Sequence, residues 1–310
     1  MSNEPQSPAE NSEAATRSGF VALIGAPNAG KSTLLNQLVG AKVSIVTHKV
    51  QTTRSLVRGI ATEGQTQIVF VDTPGIFRPR RRLDRAMVKS AWGGAGDADI
   101  IAFLIDAERG IKGDAEAILD SLSEVKQPKV LILNKIDRVE PEKLLALAAE
   151  ANERAQFERT FMISALKGPG CKDVLAYFAS TLPEGPWYYP EDQISDLPMR
   201  QLAAEITREK LYLRLHQELP YSAHVTTEKW EEMKDGSVRI EQVIYVERES
   251  QKKLVLGHKG TTIRSIGQAA RKEIGEILEQ KAHLFLFVKV RENWGDDPER
   301  YREMGLDFSS

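Results

Sequence analysis

Short, uninterrupted apolar runs alternate with stretches of helical spacing between residues 20 and 182. Such runs indicate strands that are buried on both faces, as in a parallel sheet. Between them, apolar residues recur every three or four positions, which indicates amphipathic helices. Strands are predicted at residues 20–24, 67–71, 100–105, 129–133 and 160–163, with an antiparallel edge strand at 56–61, and helices at 31–39, 83–92, 113–125, 141–155 and 171–181. The alternation predicts a doubly wound, mixed α/β sheet over residues 19–182.

This regularity stops at residue 182. Residues 183–198 contain four prolines and no periodic pattern, which predicts an interdomain linker. The order of elements then changes to helix, strand, strand, helix, helix, strand. These elements are predicted at residues 199–215, 223–231, 238–247, 251–256, 262–280 and 282–291. The order is typical of a second, smaller α+β domain, which we place at residues 199–310 together with a C-terminal extension.

Bulk composition narrows the class of protein only slightly. The chain has 310 residues, a net charge of -2 and one cysteine, Cys171, so no intramolecular disulfide can form and a reducing cytosol is expected. No thiol-activating residues are evident around Cys171, and we expect it to be a packing residue. No apolar stretch is long enough to span a membrane. Residues 1–18 lack an apolar core and a basic start, which predicts a disordered tail and not a signal peptide.

A phosphate-binding loop lies between the first predicted strand and helix. The sequence there matches the pattern GxxxxGK[ST], whose glycines let backbone N–H groups point at phosphate oxygens. A glycine-rich turn of another kind is disfavoured by this strand–loop–helix context. Lys31 should reach the β- and γ-phosphates, the Ser32 hydroxyl should bind Mg²⁺, and Asn28 would help to hold a monovalent cation, K⁺. The predicted phosphate-binding residues are Gly25, Ala26, Pro27, Asn28, Ala29, Gly30, Lys31, Ser32 and Thr33.

A second motif follows the strand at 67–71 and contains Asp72, Thr73, Pro74 and Gly75. Asp72 at a strand end can hold Mg²⁺ through water, and the Gly75 N–H can contact a γ-phosphate. Taken alone, the motif could equally be an ordinary turn, but its position behind a phosphate loop favours a role in binding Mg²⁺ and the γ-phosphate. The next residue, Ile76, completes this predicted nucleotide-binding segment, but it cannot orient water as the glutamine of many GTPases does, so slow intrinsic hydrolysis is predicted.

Base recognition is predicted where the strand at 129–133 ends. Asn134, Lys135 and Asp137 follow that strand, and the Asp137 carboxylate can accept from the two N–H donors that guanine presents on one edge. Adenine offers no such pair, so Asp137 should select guanine. Asn134 should brace the phosphate loop, and the Lys135 stem should lie over the base. After the last strand, Ser164, Ala165 and Leu166 extend the site, with the Ala165 N–H facing the guanine oxygen.

Two polar segments should respond to the γ-phosphate. Thr52 and Thr53 precede the edge strand, and a loop there can close over the phosphate and offer a threonine hydroxyl, preferably that of Thr53, to Mg²⁺. We therefore expect Lys31, Thr53 and Gly75 to act on the γ-phosphate, and Ser32, Thr53 and Asp72 to hold the metal. The basic run from Arg78 to Arg82 could bind RNA phosphates or form a solvated loop, and the solvated loop is slightly favoured.

In the second domain, a Gly-x-x-Gly turn lies between the short and the long helix. Such a turn lets a nucleic-acid backbone approach closely and clamps about four nucleotides in KH domains. Residues 248–272 carry seven basic residues against one acid, whereas residues 185–310 carry 19 basic and 22 acidic residues. A basic cluster at the turn favours RNA over a merely solvated helical hairpin. The predicted RNA-binding residues are Lys252, Lys253, Gly257, His258, Lys259, Gly260, Ile263 and Arg264.

With both halves considered, the chain resembles the bacterial Era family of GTPases over residues 19–306. That resemblance implies a type II KH domain, Mg²⁺-dependent hydrolysis of GTP to GDP, binding of 16S ribosomal RNA near its 3′ end and a role in maturing the 30S subunit. It also implies a cytoplasmic location, partly at the inner face of the cell membrane, and we expect a monomer. The clamp is one departure, because the family commonly has Gly-Lys-Gly-Gly where this chain has Gly-His-Lys-Gly.

Two other functions are considered. An RNA-modification enzyme driven by GTP is disfavoured, because residues 199–310 contain no cysteine and no evident cluster of metal ligands. A GTPase that signals in the cell cycle or at the membrane would use the C-terminal domain to bind protein. Steep weakening of binding by salt would favour RNA over that alternative.

Overall fold

A computed structural model describes residues 15–215 and 222–308. The first domain is built on a six-stranded sheet flanked by five helices. Its strands are β1 (Arg17–Gly25), β2 (Val57–Glu63), β3 (Thr66–Asp72), β4 (Ile100–Asp106), β5 (Lys129–Asn134) and β6 (Arg159–Ile163). Its helices are α1 (Lys31–Val39), α2 (Arg82–Gly96), α3 (Asp114–Leu122), α4 (Pro141–Arg154) and α5 (Cys171–Thr181).

The sheet has the order β2-β3-β1-β4-β5-β6, and only β2 runs antiparallel to its neighbour. Strand β1 shows why the apolar runs are uninterrupted. Its Val21 and Leu23 pack with α1 and α5 on one face, whereas Ala22 and Ile24 pack with α2, α3 and α4 on the other. Both faces are therefore covered, as predicted for a doubly wound sheet.

The start of β1 corrects the predicted extent of the N-terminal tail. We placed Arg17 and Ser18 in the tail, but the strand begins at Arg17, and Ser18 is buried. Arg17 Nη1 donates to Leu182 O at 2.7 Å, and Ser18 Oγ donates to Pro186 O at 2.7 Å. These contacts come from residues far along the chain, so local composition could not indicate them. Residues 1–14 of the predicted tail lie outside the described part of the chain, and the described residues 15 and 16 precede the strand.

Residues 183–198, predicted as a linker, run along the first domain instead of crossing open space. Ile60 N donates to Ile194 O at 2.9 Å, beside the edge of β2. The Gln67 side chain, buried in β3, accepts from Tyr188 N at 2.9 Å and from Tyr189 N at 3.0 Å. This segment therefore covers the antiparallel edge of the sheet, which otherwise would present unpaired backbone groups.

The second domain is a three-stranded sheet with helices on one face. Its elements are α6 (Met199–Arg214), β7 (Ala223–Glu232), β8 (Val238–Val246), α7 (Glu249–Leu256), α8 (Thr261–Leu278), β9 (Ala282–Val290) and α9 (Pro298–Glu303). The strand order is β7-β8-β9, with β7 antiparallel and β9 parallel to β8. Helices α6 and α8 pack on the sheet.

The short helix α9 was not among the predicted elements. Tyr301 and Leu306, in and just after it, pack against Ala86 and Met87 of α2, so the C-terminal extension joins the two domains. Across the described residues, no helix combines the length and apolar character that crossing a bilayer requires.

Candidate functional site

The phosphate loop curls around its own lysine. Lys31 is buried at the start of α1, and its Nζ donates to Gly25 O at 3.0 Å and to Ala26 O at 3.1 Å. Burial lowers the pKa of Lys31 to about 8, although nearby Asp72 acts in the opposite direction. Gly30 has a φ of 100°, and a Cβ there would lie 2.1 Å from Asn134 Nδ2. The loop thus needs glycine both for its backbone angle and for the approach of Asn134.

Hydroxyl groups from two segments surround the Asp72 carboxylate. Ser32 Oγ donates to Asp72 Oδ2 at 2.6 Å, Thr53 Oγ1 lies 2.9 Å from Ser32 Oγ, and Ser44 Oγ donates to the same carboxylate oxygen at 3.0 Å. Asp72 Oδ1 is buried and has no hydrogen-bond partner among the described residues. Burial raises the pKa of Asp72, and Lys31 opposes that shift. Clustered hydroxyl and carboxylate oxygens with one unused buried acceptor are suited to a hard cation such as Mg²⁺.

The loop before β2 lies across the phosphate loop, and its two adjacent threonines have different surroundings. Thr53 is buried beside Ser32, whereas the Thr52 hydroxyl lies 2.6 Å from Thr47 Oγ1. Only Thr53 therefore joins the predicted metal ligands. From the phosphate loop, Asn28 Nδ2 donates to His48 O at 3.0 Å, which ties the two loops together.

The Asp-Thr-Pro-Gly segment is packed beneath the phosphate loop. Thr73 donates its hydroxyl to a backbone carbonyl of β1 at 2.8 Å and is fully buried, so it braces the sheet and does not face the phosphate. Gly75 lies against Pro27, where a Cβ would approach the proline Cγ to 2.9 Å. Ile76 is buried in the sheet–helix core, and its N–H donates to Gly25 O at 3.1 Å. Its side chain therefore packs in the core, and its part in the predicted nucleotide-binding segment is limited to the backbone.

At the base end of the site, Asn134 links three loops. Its Nδ2 donates to Ala29 O at 2.8 Å, and its Oδ1 accepts from Lys135 N at 2.8 Å and from Ala165 N at 3.0 Å. The hydrogen bond from Asn134 to Ala29 O corresponds to the predicted role of Asn134 in bracing the phosphate loop. The Ala165 N–H, predicted to face guanine, donates to Asn134 in this structure. Leu166 is 73% exposed beside it.

Asp137 is held as an ionised acceptor at the rim of the site. Ser164 Oγ donates to Asp137 Oδ1 at 2.8 Å, and Lys167 Nζ lies 3.1 Å from Oδ2. The Ser164 hydrogen bond and then Lys167 lower the pKa of Asp137. An ionised carboxylate fixed in this way can accept from two adjacent N–H groups of a base.

Three residues that the sequence reasoning did not assign to the site take part in it. Ser44 contacts the Asp72 carboxylate, Lys167 pairs with Asp137, and Asp106 Oδ2 lies 2.6 Å from Lys135 Nζ. Asp106 could have been found, because it follows an apolar strand at the same sheet edge as Asn134. No comparable signal distinguishes Ser44 within its polar loop.

The Gly-x-x-Gly turn is exposed between α7 and α8. His258 and Lys259 are exposed, and Lys259 has a φ of 48°. Gly257 also has a positive φ, 71°, and a Cβ there would lie 2.2 Å from Thr262 Oγ1. The turn continues into a groove between α8 and β9, which is lined by Gly260, Ile263, Arg264, Gly267, Gln268, Arg271 and residues 284–287.

Among the basic residues predicted to bind RNA, Arg264 lines this groove, and Lys252 and Lys253 lie on helix α7, which precedes the turn. Lys253 and Arg264 are exposed, and Lys252 lies 4.0 Å from Glu249. Arg271, which was counted in the basic cluster but not among the predicted RNA-binding residues, lines the groove about two helical turns beyond Arg264. These cations would face the phosphates of a strand lying in the groove.

The second domain holds the loop that carries Thr53. The next residue, Arg54, is 4% exposed, donates to Ala223 O and to the Tyr212 hydroxyl at 3.0 Å each, and lies 5.5 Å from the centre of the Trp294 ring. Arg208 of α6 donates to the backbone carbonyl of Thr52. One loop therefore contacts the phosphate site and the second domain through neighbouring residues.

Additional contacts extend this interface. Lys42 Nζ lies 2.7 Å from Glu209 Oε2 and also pairs with Glu273. Val46 N donates to Glu209 Oε1 at 2.9 Å. The basic run beginning at Arg78 is exposed, and the Arg82 guanidinium lies 4.7 Å from the centre of the Phe308 ring.

Comparison with known families agrees with both halves of this description. Residues 20–135 match the family model described as a 50S ribosome-binding GTPase, and residues 218–295 match the KH domain. The fold and the site together define a guanine-nucleotide-binding P-loop GTPase that carries a C-terminal KH domain.

Curated relatives specify the family. The chain is 79% identical to GTPase Era of Mesorhizobium japonicum over 95% of both chains, and 75% identical to GTPase Era of Brucella suis over 99% of both. The chain belongs to the Era family of GTPases. Among solved structures it is 38% identical, with a TM-score of 0.89, to an Aquifex aeolicus Era variant bound to GDP and AlF4⁻, covering 94% of this chain and 99% of that one. The same values describe its match to Era in complex with MgGDPNP and nucleotides 1506–1542 of 16S ribosomal RNA.

Proposed function

We propose that this chain is a GTP-dependent switch that binds 16S ribosomal RNA near its 3′ end and assists assembly of the 30S subunit. The observation that carries the proposal is the placement of Thr53 and Arg54. Thr53 lies with the phosphate-site residues, and Arg54 is buried in the KH domain. Support for the ligands comes from the related Era bound to MgGDPNP and 16S ribosomal RNA.

GTP and GDP occupy the site between the phosphate loop and Asp137. Phosphates lie against the loop backbone and Lys31, whose partial desolvation strengthens its attraction for them. Guanine lies at Asp137. Ser32, Thr53 and Asp72 hold Mg²⁺, which neutralises charge on the phosphates when it is bound. Asn28 could add K⁺ through its side-chain oxygen, because the side-chain nitrogen is already used by His48 O.

Hydrolysis is slow in this proposal because the site lacks a side chain that orients water at position 76. Ile76 lies in the core. Lys31 stabilises charge on the γ-phosphate, and the Gly75 N–H and Thr53 contact it. Acceleration must then come from a partner or from RNA that rearranges the loops around the phosphate.

RNA binds in the groove beside the Gly-x-x-Gly turn. The exposed loop clamps the backbone, and the surrounding cations neutralise phosphates. When GTP is hydrolysed and the phosphate leaves, Thr53 loses its contact with the γ-phosphate, and Arg54 can withdraw from its position against Ala223 and Trp294. RNA affinity then changes only if the two arrangements of the KH domain bind RNA differently.

The cellular setting is a separate part of the proposal. We propose that the chain acts as a monomer in the cytoplasm and associates peripherally with the inner face of the cell membrane, as the family resemblance implies. The exposed arginines from Arg78 to Arg82 remain a solvated surface in this proposal. Arg80 N donates to Asp84 Oδ2 at 3.0 Å, and the Arg82 guanidinium lies over the Phe308 ring.

Crosslinking tests the function directly. The full chain, loaded with GDPNP or GDP, is crosslinked to cellular RNA, and the crosslinks are mapped. We expect them at the 3′ end of 16S ribosomal RNA. The matched control is the double variant His258→Asp and Lys259→Asp, which places two negative charges at exposed residues of the turn and should lose these crosslinks. Crosslinks that are absent, or that are spread evenly over all RNA, would overturn the proposal.

A further inference from the structure

Strand β9 presents two exposed aromatic rings on the face of the small sheet that the helices leave open. Leu284 and Leu286 pack towards α6 and α8. Side chains alternate along a strand, so Phe285 and Phe287 lie on the opposite face. Phe285 is 45% exposed and Phe287 is 49% exposed. Large apolar side chains exposed side by side on an open sheet face are a signal of binding.

Part of that open face is covered by the C-terminal extension. Trp294 stacks on His224 with ring centres 5.5 Å apart, and the Arg300 guanidinium lies 4.8 Å from the centre of the Tyr245 ring. Tyr245 is thereby buried, at 8% exposure. The extension covers the end of the sheet near the start of β7 and leaves the two phenylalanines uncovered. The two exposed rings therefore form a limited area beside a covered part of the same face.

One ring is already arranged as a stacking surface. The Arg239 guanidinium lies 5.1 Å from the centre of the Phe285 ring and is held by Glu241 at 2.7 Å. Phe285 and Phe287 are two positions apart on one strand, which separates their side chains by about 7 Å. Exposed Lys281 and Lys289 lie near the two ends of the same strand. Aromatic rings beside cations bind the bases of single-stranded nucleic acid by stacking.

The two rings lie at the border of the groove. Residues 284–287 line the groove together with Gly260 and Ile263 of the clamp region. β9 has β8 as its one neighbour in the described sheet order, so its other edge borders the groove. A strand of RNA leaving the groove across this edge would meet Phe285 and Phe287 next.

We propose that Phe285 and Phe287 form an aromatic platform that stacks one or two RNA bases beyond the nucleotides held by the Gly-x-x-Gly clamp. This inference rests on the proposed RNA-binding function and extends its footprint around the edge of the sheet. Two rings suit bases better than a protein partner, because a stable protein interface covers about 800 Å² on each side. The platform adds affinity by stacking and reads little sequence.

The test measures RNA binding by the full chain with two RNAs. The long RNA is nucleotides 1506–1542 of 16S ribosomal RNA. The short RNA is its smallest truncation that the wild-type chain binds and that the His258→Asp and Lys259→Asp variant does not. The test variant is Phe285→Ala with Phe287→Ala. Met233→Ala, which removes a side chain of similar exposure (45%) from the turn between β7 and β8, is the matched control.

The platform variant should bind the long RNA about 10- to 100-fold more weakly, because each stacked base contributes appreciable affinity. It should bind the short RNA almost as well as the wild-type chain does. Its dependence of affinity on salt should be unchanged, because no phosphate contact is removed. Phe285→Tyr with Phe287→Trp should restore binding, and thermal unfolding should match the wild-type curve.

Other outcomes overturn the inference. Equal weakening for both RNAs would mean that the rings only support the groove, and unchanged binding of both would mean that the face does not touch RNA. If RNA binding is unchanged while binding to 30S subunits is lost, the face binds a protein. If the wild-type chain binds neither RNA, the proposed function itself fails, a result distinct from failure of the platform alone.

Discussion

The nucleotide site and the RNA clamp recognise phosphates in opposite ways. At the nucleotide site, Lys31 and Asp72 are buried, and the Asp72 carboxylate accepts hydrogen bonds from Ser32 and Ser44 in earlier segments of the chain. At the clamp, His258 and Lys259 are exposed neighbours in one turn. The first site is shaped by packing of the whole domain, and the second by a few local backbone angles and by charge. Substitutions at the first site should therefore disturb its geometry and lower nucleotide affinity strongly. Substitutions at the second should lower RNA affinity moderately, by an amount that depends strongly on salt.

The largest effect is expected at the base. Asp137→Asn replaces an ionised double acceptor by a group with one acceptor and one donor, so guanine affinity should fall about 100-fold or more. Calorimetric titration with GDP measures this, and titration with xanthosine diphosphate should show partial recovery, because that base offers a complementary carbonyl. Arg138→Gln, a change at the exposed neighbouring residue, is the control. Unaltered GDP affinity in the Asp137→Asn chain would contradict the assignment of Asp137.

A smaller effect is expected at the phosphate end. Ser32→Ala removes one of the oxygens around Asp72, so the affinity for GDPNP in the presence of Mg²⁺ should fall about 10-fold or more. Affinity measured with excess chelator should change much less. The comparison of the two conditions is the measurement, and an equal loss in both would show that Ser32 has only a structural role.

A substitution in the clamp should have a smaller effect, and the effect should be on the affinity for RNA and on its salt dependence. Lys259→Ala should weaken binding of nucleotides 1506–1542 of 16S ribosomal RNA a few-fold and lower the slope of log affinity against log salt by about one. Nucleotide binding should not change. Filter binding over a salt series tests this, and an unchanged slope would remove Lys259 from the phosphate contacts.

The smallest functional effect is expected at Cys171, which packs beneath the base loop with its Sγ 3.9 Å from Ser164 O. Burial raises the pKa of its thiol to about 11, so the unreactive protonated form dominates at pH 8. Iodoacetamide should modify the folded chain slowly at pH 8 and the urea-unfolded chain rapidly, and bound GDP should slow modification further. Rapid labelling of the folded chain would show that this part of the first domain opens readily.

Sequence patterns predicted best the features that depend on residues close together in the chain. Apolar runs and turn residues indicated the doubly wound sheet, and motifs at strand ends placed Lys31, Asp72 and Asn134 on one edge, where the structure brings them together. Arg17 and Ser18 were wrongly included in the tail, because the contacts that order them come from residues 182–186.

Sequence patterns could not predict the contacts between distant segments of the chain. The burial of Arg54 depends on how two domains pack, and neither domain encodes that packing in a local pattern. The same holds for Ser44 and for the course of residues 183–198 along the sheet edge. A prediction from one sequence could locate the two sites but not the loop contacts that connect them.

The central claim is that nucleotide state reaches the RNA clamp through the loop that carries Thr53 and Arg54. The most direct test measures the affinity of the full chain for nucleotides 1506–1542 of 16S ribosomal RNA with GDP and with GDPNP bound. The same pair of measurements is made on Arg54→Ala and, as a control, on Arg58→Ala, which breaks a 2.8 Å pair with Asp196 outside that loop.

In the wild-type chain the two affinities should differ by at least about fivefold, the lower end of typical coupling between sites. Arg54→Ala should bring their ratio close to one, and Arg58→Ala should leave it unchanged. Identical RNA affinities with GDP and GDPNP in the wild-type chain would contradict the account.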